Sequence, residues 1–294
     1  MIYANMRGRL GNQLFIYATA RCLQVKTGQD LTLNYTSYRK HYESDSMDLS
    51  MFFIPENIIL ENRKKLPWFS TTDSLVIKSL RHYFPDNMYK YLMSKNVFLW
   101  LGEEYQKIFY DDKKDIFLDG YWQSSKYFDD IRDILLKELR PRITLSEKCR
   151  KLSEIIKNNN AVCVSVRRGD YVTNPQNKAI YYICDKDYID KSIKKMQSIV
   201  SEIIWIVFSD DINWVKENIS FSGTVYYQPE GITPLETMNL MSECKHFILS
   251  NSSFSWWGQY LSNYREKVVI APSKWYVDNR KADIIESSWV KIPV

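Results

Sequence analysis

The sequence predicts an α/β protein made of two Rossmann-like halves, each an open parallel sheet covered by helices. Three observations predict it. From residue 161 onward, short apolar strands alternate with amphipathic helices. The chain also opens on a strand, a glycine turn and a helix, and polar or small residues gather where each strand should end.

Ile2 to Met6 reads as a strand, Asn12 to Thr27 as a helix closed by Gly28 at its C′ position, and Leu31 to Asn34 as the next strand. Between about 40 and 115 the pattern breaks into aromatic and charged pieces with no clear period. Phe128, Ile131, Leu135 and Leu139 mark a helix that Pro141 stops. Asn158 to Asn160 is polar and turn-like, which places a boundary near 155 and divides the chain into domains 1–155 and 156–294.

In the second half, Ala161 to Val166 is almost wholly apolar, as a strand buried on both faces requires. Ile189, Ile193, Met196 and Val200 give Asp187 to Val200 a helical period. Ile203 to Phe208 is another buried strand, Asp211 to Ile219 a helix and Val225 to Tyr227 a short strand. Thr233-Pro234-Leu235-Glu236 opens a helix with Thr at the N-cap, Pro at N1 and Glu at N3. His246 to Leu249 is a strand, Phe254 to Leu261 a helix, and Lys267 to Ala271 the last strand.

A 45% apolar and 26% charged composition is that of a globular protein. The net charge of +5 is mild, and no block of about five like charges occurs, which argues against a nucleic-acid partner. Five scattered cysteines (22, 149, 163, 184 and 244) with no C-x-x-C read as buried thiols in a reducing compartment. The histidines at 41, 82 and 246 have no metal-ligand spacing, so no metal is expected. No signal peptide and no run approaching the ~20 apolar residues of a membrane span are apparent. The expectation is a soluble cytoplasmic protein, with peripheral association at the inner face of the membrane left open.

Open parallel sheets bind ligands beyond the carboxyl ends of their strands, and four clusters fall there. Arg7-Gly8-Arg9-Leu10-Gly11-Asn12-Gln13 combines close-approach glycines with a helix N-terminus; it also reads as a tight turn with an Asn cap. Ser165-Val166-Arg167-Arg168-Gly169-Asp170-Tyr171 sets paired arginines at the end of a buried strand. Arg is a planar fork suited to phosphate, and Asp170 could orient it; a structural ion pair is the alternative. In Ser209-Asp210-Asp211, Asp210 could accept the adjacent donors of guanine or simply cap a helix. Ser250-Asn251-Ser252-Ser253-Phe254-Ser255-Trp256-Trp257 presents backbone N–H groups to an anion, with both tryptophans expected in the helix core.

In this order, the four clusters and Asp119-Gly120-Tyr121-Trp122-Gln123-Ser124 resemble the alpha-1,2-fucosyltransferase family, glycosyltransferase family 11, over about residues 3 to 275. The resemblance implies a GT-B fold of two Rossmann-like domains facing across a cleft, the first on the acceptor side and the second binding a GDP-sugar. It implies an inverting transfer of L-fucose from GDP-β-L-fucose to a hydroxyl, the 2-OH of a galactose, in an oligosaccharide or lipid-linked glycan, without a cofactor or metal. It places Arg167, Asp170 and Asn12 in catalysis, and Gly11, Asn12, Arg167, Ser165, Asp210, Asn251, Ser252, Ser253 and Phe254 at the donor. Asp119, Tyr121, Trp122 and Gln123 become acceptor-side candidates. This chain departs from the family in having Ser165 where a histidine is usual, and Glu236 beside the position of a usual aspartate. The alternatives are a transferase of this fold using another nucleotide sugar, or a non-catalytic nucleotide- or glycan-binding module.

Overall fold

Four consecutive buried residues, Ile2–Asn5, form β1, which can lie only in the middle of a sheet covered on both faces. The computed structural model describes residues 1–36, 49–61, 66–72, 74–100, 102–278 and 280–294. The chain divides into two units, Met1–Arg140 and Pro141–Val294.

In the first unit, β1 leads to α1 (Leu10–Thr27), β2 (Leu31–Asn34), β3 (Ile59–Glu61), α2 (Leu75–Tyr83), α3 (Pro85–Ser94), β4 (Val97–Trp100), β5 (Ile116–Gly120) and α4 (Arg132–Glu138). The strands pair in the order β3-β2-β1-β5-β4, all parallel. Gly28 closes α1 at φ 70°, a left-handed turn that sends its N–H to the Gln24 carbonyl. The helix begins at Leu10, two residues before Asn12. The expected helix through Phe128 and Leu139 is broken: Asp129–Ile131 is a 3₁₀ turn, and only Arg132–Glu138 is α-helical. Within the stretch that has no clear sequence period, α2 and α3 pack Ile77, Met88 and Leu92 on Val97 and Leu99. Residues 37–48, 62–65, 73, 101 and 279, His41 among them, lie outside the described residues.

The second unit starts with α5 (Glu147–Asn158), then β6 (Asn160–Val166), α6 (Gly169–Thr173), α7 (Pro175–Ile180), α8 (Lys186–Gln197), β7 (Ile203–Ser209), α9 (Ile212–Asn218), β8 (Val225–Tyr227), α10 (Pro234–Glu243), β9 (His246–Ile248), α11 (Ser253–Tyr260), β10 (Val269–Pro272) and β11 (Val290–Ile292). Its strands run β11-β10-β9-β6-β7-β8, again all parallel, in the doubly wound order. Val162, Val164, Trp205, Val207 and Ile270 meet Tyr188, Ile189 and Ile193 of α8 in its core.

The division falls at Arg140/Pro141, earlier than 155. The reason is α5, whose buried Cys149, Leu152 and Ile156 pack on α10 and β6. A last strand, β11, follows the one expected to close the sheet; it is three residues long with an exposed Lys291 at its centre, too short for a period to show. All five cysteines are buried and free of disulfides. No helix among the described residues is long and apolar enough to cross a membrane.

Candidate functional site

Strand order locates the second unit's crevice. β6 and β9 are neighbours at the centre of the sheet, and the chain leaves β6 toward β7 and β9 toward β10, in opposite directions. Loops that part in this way leave a crevice at the carboxyl ends of the two strands. Arg167 begins the loop after β6, and Leu249 to Ser252 form the loop after β9. A serine pins them together: the Ser250 hydroxyl donates to the Ser165 carbonyl at 2.7 Å and accepts from the Arg167 backbone N–H at 3.0 Å.

The Arg167 guanidinium is held by two carboxylates. Nη2 bonds Asp170, and Nη1 lies 2.9 Å from Asp210 Oδ2. Asp170 is steadied in turn by Asn177, whose Nδ2 donates to Oδ2 at 3.1 Å. The other oxygen of Asp210 accepts the Arg168 backbone N–H at 2.8 Å. At Gly169 a Cβ would strike the Asp210 carboxylate, so only glycine lets the loop close on it. Arg168 turns away, stacked 3.7 Å over the Trp214 ring and bonded to Asp211. Arg167 keeps 27% of its side chain exposed, enough to meet a ligand while remaining aimed. Its guanidinium also lies 5.6 Å from the Tyr171 ring centroid, and Tyr171 stacks flat on Tyr181 while donating to the Asn251 carbonyl at 3.2 Å.

Beside the arginine, α11 starts at Ser253 with Ser252 as its N-cap. Trp256 and Trp257 are fully buried and fix the helix in the unit's core, as expected for this pair. Ser252, Ser253 and Phe254 remain half-buried, so the N-terminal turn, with its outward N–H groups and positive dipole end, lies at the surface of the crevice. A guanidinium and a helix N-terminus side by side make a site for a dianion such as a diphosphate.

Two donor candidates stand differently from the expectation. Asn251 is fully buried, and its Nδ2 donates to the carbonyls of Tyr182 and Trp275, so it braces the loop from beneath. The Ser165 hydroxyl is 2.5 Å from the Ser255 hydroxyl inside the fold, a structural pair under the loop rather than a group presented to a ligand. Asp210, offered by the sequence to guanine, uses both oxygens on the arginine loop.

In the first unit, β1 and β5 are neighbours at the centre of the sheet, and the segments that follow them meet. Gly8 adopts φ 65° with Asn12 packed where a Cβ would be, so the turn into α1 requires glycine. This brings Asn12 to Gln123, whose Nε2 donates to Asn12 Oδ1 at 2.8 Å. Gly11 is buried in the first turn. Tyr121 is 40% exposed. Asp119 and Trp122 are not available to an acceptor. Asp119 is fully buried, paired with Arg7 and bonded by the Thr72 N–H at 2.6 Å. Burial pushes its carboxyl up, against the opposing pull of Arg7 and Thr72. Trp122 is buried edge-on to Tyr127, at a strained φ of 55°, with no partner for its indole N–H among the described residues.

The structure therefore gathers Arg167, Asp170, Asp210, Ser252, Ser253 and Phe254 at one crevice, and separately joins Asn12 to Gln123. Ser250 and Tyr171 escaped selection as site residues because each acts through a bond to a strand or loop about 80 residues away, which spacing does not reveal, and Asn177 because it acts on Asp170 from the next helix. Among the described residues, no group of three or more His, Cys, Asp or Glu is placed to hold a metal ion.

Glu236 is a capping-box residue, accepting the Thr233 N–H at 3.1 Å while the Thr233 hydroxyl accepts the Glu236 N–H. That settles its place in the sequence pattern as helix capping.

The family model described as "Glycosyl transferase family 11" matches residues 1–293. An Alpha-1,2-colitosyltransferase of Escherichia coli is 31% identical over 99% of this chain and 99% of its own length. The O-antigen biosynthesis glycosyltransferase WbnK of Escherichia coli is 28% identical over 99% of this chain and 100% of its own. Galactoside alpha-(1,2)-fucosyltransferase 2 of Mus musculus is 24% identical over 98% of this chain and 77% of its own. Among solved structures, fucosyltransferase NodZ from Bradyrhizobium superposes with a TM-score of 0.52 at 16% identity, over 89% of this chain and 92% of that one. That likeness is one of fold, of the GT-B type with two parallel-sheet α/β domains. The chain belongs to glycosyltransferase family 11.

Proposed function

We propose that the chain transfers L-fucose, with inversion, from GDP-β-L-fucose to the 2-hydroxyl of a galactose in an oligosaccharide acceptor, giving an α-1,2-fucoside. The observation that carries it is the Arg167 guanidinium held between two carboxylates beside the N-terminus of α11. Relatives named for α-1,2 transfer and for O-antigen biosynthesis support the linkage and the acceptor class.

In the reaction, the acceptor oxygen bonds to the anomeric carbon as the bond from that carbon to the diphosphate oxygen breaks. The electron pair leaves with GDP, and the acceptor proton passes to the departing phosphate. Charge builds on that phosphate in the transition state, so a cation already aimed there strengthens its interaction as the sugar leaves. Arg167 and the helix N-terminus supply positive potential, and the reading requires no divalent ion. Asp170 and Asp210 act by aiming the guanidinium; as its partners they are poor candidates for the base. Asn12, Gln123 and Tyr121 are assigned to sugar hydroxyls.

A second reading follows from the 31% identity to a colitosyltransferase: the sugar transferred is colitose, which is fucose without its 3-hydroxyl. Incubation with GDP-fucose, GDP-colitose, GDP-mannose and UDP-galactose against a set of galactosides, with linkage analysis of the product, separates the two. Transfer from neither GDP-fucose nor GDP-colitose refutes both, and activity abolished by EDTA refutes the metal-free mechanism.

A further inference from the structure

The apolar residues of α2, α3 and the Phe84 between them divide into a buried set and an exposed one. Ile77, Met88 and Leu92 turn inward to a small core. A second set faces solvent: Leu75 is 81% exposed, Tyr83 69%, Tyr91 64% and Phe84 59%. In α2, Val76, Leu80 and Tyr83 recur at i, i+4 and i+7, so the exposed residues form a stripe on one side of the helix. Single exposed apolar residues need no explanation, whereas a contiguous set marks an interaction surface.

Charge decides the kind of partner. Between Ser74 and Asn96 the chain carries Lys78, Arg81, Lys90 and Lys95, all exposed, against one acid, Asp86. A nucleic acid has no use for the aliphatic stripe, and an apolar protein groove has none for four cations. An anionic bilayer surface takes both: acyl chains accept Leu and Val, the interface suits Tyr and Phe, and headgroups attract Lys and Arg.

We infer that the α2–α3 hairpin docks the first unit on an anionic lipid surface, its apolar stripe at the acyl boundary and its four cations among the headgroups. Helices of nine and ten residues are far too short to span the membrane, so they lie in its plane. None of these residues takes part in the proposed transfer reaction.

Co-sedimentation of the full chain with vesicles tests it, using phosphatidylcholine alone and an equal mixture of phosphatidylcholine and phosphatidylglycerol. The chain is expected to pellet with the anionic vesicles only, and less as salt rises. Each cation near such a surface contributes about fivefold in partition, so the variant Lys78→Gln/Arg81→Gln/Lys90→Gln/Lys95→Gln should lose at least ~100-fold. Leu75→Ser/Tyr83→Ser/Tyr91→Ser should also abolish binding, with far-UV circular dichroism unchanged. Because the salt and lipid dependence is read on the unaltered chain, misfolding of a variant does not protect the idea. A wild-type chain that stays in the supernatant, or binds both vesicles equally, overturns it. So does a chain that is dimeric in solution and becomes monomeric in the serine variant, which would give the face to a second copy.

Discussion

Arg167 and Asp210 face each other at 2.9 Å across the ends of neighbouring strands. The parallel register sets Val166 of β6 opposite Ser209 of β7, so the residues one step beyond each strand end are themselves opposite. Two rigid strands, rather than loop geometry, therefore set the direction of the guanidinium. Asp170, one turn further along, takes its second edge. A fork held at two points is pre-oriented toward an anion, which is the condition for electrostatic stabilisation without reorganisation during the reaction.

Arg167→Lys keeps the charge and loses the fork, since an ammonium cannot bond two carboxylates and a phosphate in one plane. Turnover should fall at least ~10²-fold, the scale of losing one preorganised oxyanion donor, with little change in far-UV circular dichroism. Steady-state kinetics with the preferred nucleotide sugar measures it. A lysine variant that turns over near the wild-type rate removes Arg167 from the chemistry.

Ser165, offered by the sequence to the donor, has an inward partner in the structure, the Ser255 hydroxyl. Ser165→Ala should leave Ser255 without that bond and cost about 1–2 kcal/mol of stability. The KM for the nucleotide sugar should stay unchanged. A raised KM with an unchanged denaturation midpoint would return Ser165 to the donor site.

The second unit was largely legible in sequence because its strands are buried on both faces. Ile203-Ile-Trp-Ile-Val-Phe208 admits no other reading in a chain of alternating elements, and β7 covers it with one residue more. The Thr233 capping box was legible for a different reason, being wholly local. α2 and α3 were not, because their exposed faces carry Leu75, Tyr83 and Tyr91, which blurs the polar–apolar contrast that periodicity depends on. In the site, Arg167 stood out by lying at a strand end. Asp119 misled, because spacing cannot tell a carboxylate that meets a ligand from one that meets Arg7 at a separation of 112 residues.

Glu236 makes stability depend on acidity. The backbone N–H of Ser146, the N-cap of α5, reaches it at 2.8 Å, and the Thr233 N–H at 3.1 Å. These donors, Ser146 foremost, lower its carboxyl from the ordinary 4.5 to about 2. A depressed carboxyl stabilises the fold above its unfolded value and stops doing so once it is protonated in the folded state. The contribution is therefore complete above about 4.5 and lost as pH falls toward about 2. Urea unfolding of wild type and Glu236→Gln across this window should show a stability gap at neutral pH that closes in acid. A gap independent of pH would mean the tie between α5 and α10 does not rest on the charge.

Asp119 provides the test that separates architecture from substrate contact in the first unit. Its carboxylate is fully buried, with Arg7 Nη2 at 2.9 Å and the Thr72 N–H and hydroxyl as further donors. Removing one partner of a buried pair strands the other charge, at a cost of about 3–5 kcal/mol. Asp119→Ala should therefore lower the urea midpoint by a large fraction of the total stability, and Arg7→Met/Asp119→Leu should recover much of it by removing both charges. The KM for a galactoside acceptor, measured on the folded double variant, should resemble that of wild type if Tyr121, Gln123 and Asn12 remain in place. Should Asp119→Ala instead keep its stability and lose acceptor affinity, the carboxylate would have to reach a ligand hydroxyl through a rearrangement that frees it from Arg7.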